Sequence, residues 1–264
     1  MLAANTDNIK RWLDQSDIDY FTYFVKAWIP FNAWFRHTYD TLDQEREILN
    51  AIKSDGNKIR TRIMAKLEGG DPESEELRNH IAQLHRRLSV DPLEDKKSNR
   101  ISFENVCVGK NPKAKETLTS YGWSYSVERT TGPKQIECTV INKNGAVVSR
   151  LIQTGDWDEE SLKSHPDFQK LDTKKCPPLL TCYQAIRPWQ FMSLLANPAE
   201  KKDFITMDGY RFIKDPSQVF AGLIDVLYSM RCLLFHGELV PDPQSNRTYE
   251  PAYHLVRAMI RCLV

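Results

Sequence analysis

The chain has 264 residues, of which 41% are hydrophobic, 10% aromatic and 27% charged, the balance of a folded globular protein and not of a disordered, collagenous or disulfide-rich one. Lys and Arg number 36 against 35 Asp and Glu, a net charge of +1, so no global positive field draws in nucleic acid or an anionic membrane, and any polyanion has to be bound locally. The length suits one large domain or one domain carrying a sizeable insertion.

Residues 1–92 read as helices. Residues 16–19 form a capping signal, Ile18, Phe21, Val25, Trp28 and Ile29 recur at helical spacing, and Phe31, Trp34 and Phe35 carry the stripe past Pro30. Pro30 should kink or restart that helix. The aromatics Trp28, Trp34 and Phe35 read as core. Ile59, Ile63 and Leu67 share a face of a later helix, which Gly69-Gly70-Asp71-Pro72 ends, and Leu77, Ile81, Leu84 and Leu88 mark another. The basic stretch Lys53, Lys58, Arg60, Arg62 and Lys66 reads as a surface helix. His80 and His85 read as part of a solvated face, and His37, His165 and His254 have no partner in view.

Beyond a charged stretch the period changes. Tyr121, Trp123, Tyr125 and Val127 alternate with polar or small residues, as in a half-buried strand, and residues 136–141 and 146–152 flank a hairpin turn at Asn142-Lys143-Asn144-Gly145. A short helix from residue 111 or 112 to about 118 is expected before this sheet.

The helical period returns at Cys176, with a helix expected over 183–195. Asp215-Pro216 opens a long apolar helix through Val219, Phe220, Leu223, Val226, Leu227 and Met230, and Gly237 ends it. Leu255, Met259, Ile260 and Leu263 mark the last helix. The expected fold is therefore mainly α: a helical bundle built from residues 1–92 and 176–264, with a small antiparallel α/β subdomain inserted at 93–175.

No apolar stretch approaches the roughly 18 residues of a membrane span, and Asn5, Asp7, Asn8 and Lys10 stand where a secretory segment needs apolar residues. A cytoplasmic protein with no membrane partner is expected. The six cysteines form no C-x-x-C pair and mostly have apolar neighbours, so neither zinc nor disulfides are expected. No His, Asp or Glu cluster has metal-ligand spacing, and no cofactor is implied.

The segment most suited to chemistry ends the long apolar helix, where Arg231 and His236 lie five residues apart. Five residues rotate about 140° around a helix, so the two side chains meet one ligand only if the helix end opens or a partner chain contributes. The pair suits a phosphodiester: Arg offers a planar fork to phosphate oxygens, and His moves protons near neutral pH. Both also have ordinary structural roles, His in the last turn through the helix dipole and Arg through a buried carboxylate.

Arg231-Cys232-Leu233-Leu234-Phe235-His236-Gly237 resembles the R-x(4 to 6)-H signature of the HEPN superfamily, and Trp28-Ile29-Pro30-Phe31-Asn32-Ala33-Trp34-Phe35 resembles the W-I-x-F-N segment of many of its members. The resemblance covers the two helical ends and leaves the middle uncovered. It implies a HEPN-like bundle acting as a metal-independent endoribonuclease of the toxin or defence type. RNA is then cut to 2′,3′-cyclic phosphate and 5′-OH ends in a composite site shared by a homodimer, with an antitoxin or defence-complex partner. His236 would transfer protons and Arg231 would hold the phosphate, with Asn32, Tyr228 and Glu238 in support. Cys232 stands where such ribonucleases commonly carry a polar residue, often Asn. The alternative is a catalytically inactive module that binds a partner protein, nucleotide or RNA. A second, narrower resemblance joins residues 111–152 to the first half of a double-stranded-RNA-binding domain, without the lysine-rich second helix that grips phosphates there.

Overall fold

The computed structural model describes residues 9, 18–95, 98–130, 132–197, 199 and 203–264. Ser16, in the expected capping signal, lies outside them. Asp19, the last residue of that signal, caps the helix that follows, its carboxylate accepting from the Thr22 N–H.

That helix, α1 (Tyr20–Thr38), runs unbroken through Pro30. A mid-helix proline costs about 3 kcal/mol in a lost hydrogen bond and a clash. Here the ring is exposed, while Phe24, Trp28, Phe31 and Phe35 on the other side are buried and in mutual ring contact. Burial of four aromatic side chains, each contributing about 1.5–3 kcal/mol, exceeds the proline's penalty. Trp34 is half-buried against the same core.

Three helices follow: α2 (Glu45–Ser54), α3 (Lys58–Glu68) and α4 (Pro72–Val90). Asn57 caps α3, and Asp71 caps α4 with Pro72 in its first turn. Strand β1 (Val106–Lys110) pairs with β6 (Trp189–Met192) in a two-stranded sheet. Between them come the strands β2 (Lys115–Ser120), β3 (Trp123–Thr130), β4 (Gln135–Ile141) and β5 (Val147–Thr154), then α5 (Glu159–Ser164), α6 (Pro166–Gln169) and α7 (Cys176–Ala185). The hairpin β7 (Phe204–Met207) and β8 (Tyr210–Ile213) leads into α8 (Pro216–Phe235) and α9 (Pro243–Arg261).

The chain divides into two compact units, Met1–Val108 with Phe191–Val264, and Gly109–Gln190. In the first, the apolar faces of α1 to α4, α8 and α9 and the β7–β8 hairpin close one core around Phe24, Phe31, Leu84, Phe220 and Tyr249. In the second, β2-β3-β4-β5 form an antiparallel meander. The alternate residues Tyr125, Val127, Ile136, Cys138 and Val140 pack with Leu162, Phe168 and α7 residues Leu179, Cys182 and Tyr183.

The expectation of a mainly α fold is overturned: the chain is about 49% helix and 20% strand, with three antiparallel or two-stranded sheets. Four segments account for the difference, the first being β1, at a place where no strand was expected. The residues expected to form a helix before the sheet include strand β2, whose Leu118 and Thr119 pair with Tyr125 and Ser124. The loss of that helix removes the feature on which the double-stranded-RNA-binding resemblance began. The helix expected over 183–195 stops at Ala185, and β6 follows Pro188. The β7–β8 hairpin lies where no strand was expected, turning at Asp208 and Gly209 with φ of 44° and 84°, the backbone of a type I′ turn. The boundaries differ too. Residues 176–190, expected in the helical part, belong to the second unit, because α7 packs on the sheet.

Candidate active site at the end of the long apolar helix

Asp215 caps α8 by accepting from the Gln218 N–H, and Pro216 occupies the first turn. Asp225 and Arg231 are its only charged residues. Contrary to the sequence expectation, this helix is long and apolar enough to cross a membrane, although 61% of its apolar window is buried inside the protein. Its far end closes on Gly237 at φ 64°, a left-handed conformation that costs glycine little. The Gly237 N–H donates to the Leu234 carbonyl at 3.3 Å and the Glu238 N–H to the Leu233 carbonyl at 3.0 Å, which together make a Schellman motif. His236 is the C-cap, at φ −90° and ψ 0°. Its side chain is exposed and makes no hydrogen bond or ion pair with any described residue.

Arg231 sits one turn earlier, half-buried. Its Nη1 lies 3.4 Å from Glu45 Oε2 at the start of α2, with the two side chains 21% and 16% exposed. The guanidinium also covers the Phe235 ring, 4.5 Å from its centroid. The pairing is incomplete: Arg231 Nε and Glu45 Oε1 are both buried without a hydrogen-bond partner. A bidentate fork would satisfy both atoms. As it stands, the guanidinium keeps donor capacity unused by the fold.

Tyr228 lies on the same face. Burial pushes its phenol up to about 12, and Cys232 and Glu45 add to the effect, so it remains a neutral hydroxyl at any physiological pH. Arg46 lies over its ring at 5.8 Å. Below it, Asp225 anchors a buried cluster: its carboxylate is 3.3 Å from both Arg46 Nη1 and Lys53 Nζ, and it accepts from the Cys107 N–H at 2.8 Å. Lys53 Nζ also donates to the Cys107 carbonyl at 2.7 Å. Burial holds the Lys53 ammonium below its ordinary range, opposed by Asp225. These contacts clamp α2 to α8 and so hold Glu45 against Arg231.

Of the residues singled out in the sequence, the structure therefore groups Arg231 with Tyr228, and neither Asn32 nor His236 bonds to them. Asn32 is half-buried on α1 and makes no hydrogen bond to Arg231 or His236. Glu238 is half-buried, and its N–H closes the helix end. Glu45, Arg46, Lys53 and Asp225 are additions. The sequence signal for the last was a single Asp in an otherwise apolar run, which a helix buries only with partners. Lys53, read as surface, is 5% exposed. Among the described residues, no three His, Cys, Asp or Glu side chains gather as metal ligands would. No known protein family, curated protein or solved structure matches the chain.

Proposed function

We propose that the chain is a metal-independent endoribonuclease that cuts RNA to 2′,3′-cyclic phosphate and 5′-OH ends, its site completed where the α8 ends of two copies meet. The observation that carries this reading is the contrast between the two motif residues. His236 stands exposed and unpartnered on a fixed helix end, while Arg231, one turn away, keeps a buried Nε that no protein group uses. In this reading the ribose 2′-OH attacks the adjacent phosphorus and forms the cyclic phosphodiester as the bond to the 5′ oxygen breaks. A His236 imidazole takes the 2′-OH proton and the imidazolium of the second copy supplies one to the leaving 5′ oxygen. Arg231 neutralises the charge that builds on the phosphate oxygens, released from Glu45 or sharing it. Phe235 and Val240, 48% and 71% exposed beside His236, supply an apolar surface that a second copy would cover. RNA is the substrate. An antitoxin or defence-complex subunit would restrain the enzyme by covering the same end of α8.

One observation favours a second reading. The Arg231–Glu45 ion pair is the internal carboxylate partner that a purely structural arginine would have, as in a module that binds RNA, a nucleotide or a protein without cutting. Incubation of the purified protein with total RNA in EDTA, followed by analysis of the product ends, separates the two. Cyclic phosphate ends that vanish with His236→Ala support the enzyme. Intact RNA across varied substrates assigns the fold to the module.

A further inference from the structure

A pocket of about 330 Å³ opens between α3, α4 and α9 in the first unit. One wall is a pair of parallel imidazoles: His80 and His254 stack with centroids 4.5 Å apart and an interplanar angle of 0°. His80 Nδ1 is buried without a hydrogen-bond partner, and its Nε2 lies 3.7 Å from Glu76 Oε1. Arg62, Lys66, Arg257 and Arg261 also line the space, against the carboxylates of Glu73 and Glu76. Two of these cations are held by the fold: Arg62 donates to the Cys262 carbonyl at 2.8 Å, and Lys66 pairs with Glu73. Arg257 and Arg261 are exposed and have no carboxylate partner among the described residues.

Arg257 and Arg261, a helical turn apart and with no carboxylate partner among the described residues, face a concave space with two imidazoles on its wall, where four cationic side chains outnumber the two carboxylates of Glu73 and Glu76. Arginine forks match phosphate oxygens, and a surplus of positive charge in a concave space concentrates anions. The volume admits a compact ligand and no folded partner. We infer that this pocket binds a small phosphate-bearing molecule, with Arg257 and Arg261 holding the phosphate and the His80–His254 pair closing the site behind it.

A proton accompanies the ligand. His254 shares the pocket lining with Arg62 and Lys66 from α3, Glu73, Glu76 and His80 from α4, and Arg257 and Arg261 on its own helix, where Glu250 also acts on it. Burial, the neighbouring His80 and Arg257 hold its protonation below the ordinary range, with Glu250 and Glu76 opposing. A bound dianion adds negative charge at this point, so binding takes up a proton and strengthens as the pH falls from 8 to 6.

Calorimetric titration of the whole chain with inorganic diphosphate and with ATP tests the site. Arg257→Ala/Arg261→Ala, which removes two exposed side chains, should weaken both by at least about tenfold without altering the circular dichroism spectrum. Equal affinities support a site that reads phosphate alone, and tighter ATP supports one that also reads a nucleoside. Sulfate, whose charge is constant over this range, should bind severalfold tighter at pH 6 than at pH 8 to the wild type and equally at both to His254→Gln. Wild type that binds neither diphosphate nor ATP below about 1 mM, or an arginine variant that binds both undiminished, overturns the site. RNA binding that needs these arginines while both small ligands fail overturns it as well. A pH dependence that survives in His254→Gln overturns the proton coupling.

Discussion

Arg231 reaches across the α2–α8 interface to Glu45, 3.4 Å away, yet the contact leaves one nitrogen of the guanidinium and one oxygen of the carboxylate unpaired. An arginine retained only for stability would be better satisfied, and one free for RNA would be less tethered. Under the proposed ribonuclease reading, Glu45 holds the place that a substrate phosphate would take. Glu45→Gln should cost about 1–2 kcal/mol in urea unfolding, between the values for exposed and buried pairs, and should tighten RNA binding severalfold in a filter assay. Weaker binding would make Glu45 part of the RNA site and refute the placeholder role.

Asp225 carries the heavier structural load, since it answers Lys53, Arg46 and the Cys107 N–H at once. Asp225→Asn should destabilise by about 3–5 kcal/mol, because an ammonium is left buried without its counter-charge. Adding Lys53→Met should recover a large part of that loss. A double variant no more stable than Asp225→Asn would show that the cluster's strength lies elsewhere.

Acid should weaken the fold through His85. Its ring is 4% exposed among Phe103, Tyr210 and Phe212, and burial holds its protonation below the ordinary range, with Glu104 opposing. Below a pH of about 6.5 the unfolded chain takes up a proton that the native ring resists, so stability is full above that pH and is lost as the pH falls through the folded value. The melting temperature should drop from pH 7.5 to 5, and less steeply in His85→Phe. Equal slopes in the two proteins would exclude His85 as a source.

The second unit depends on a polar contact of its own. The Tyr183 hydroxyl donates to Gln153 Oε1 at 2.7 Å and accepts from the Asp158 N–H at 3.0 Å. Tyr183→Phe leaves both groups unanswered, and should cost about 1–3 kcal/mol. Hydrogen exchange should show the loss in β4, β5 and α7, with the helices of the first unit unchanged.

Where one residue pattern decides the local structure, the sequence was legible. Asp215-Pro216 and Gly237 mark both ends of α8, Gly69-Gly70-Asp71-Pro72 separates α3 from α4, and the alternation through Tyr125 and Val127 points the right side chains inward. What escaped was decided by partners distant in the chain. Residues 115–120 become a strand because β3 offers an edge, and α7 joins the sheet because its Cys182 and Tyr183 fill that core. The β7–β8 hairpin is an exception, since Asp208-Gly209 is a strong local turn signal. At the candidate site, the motif singled out Arg231 and His236, but Glu45 is about 190 residues away in the sequence, and no local pattern announces an ion pair across that distance. His80 and His254 are separated almost as widely, and so their stacking could not be read from either helix.

The proposed activity requires His236 to move a proton, and the rate of RNA cleavage in EDTA by wild type and His236→Ala tests this most directly. The exposed side chain makes no contact that holds the fold, so the variant should melt with the wild type and bind RNA alike, while cleavage falls by roughly 10²–10⁴. Cleavage that continues at the wild-type rate would contradict the account.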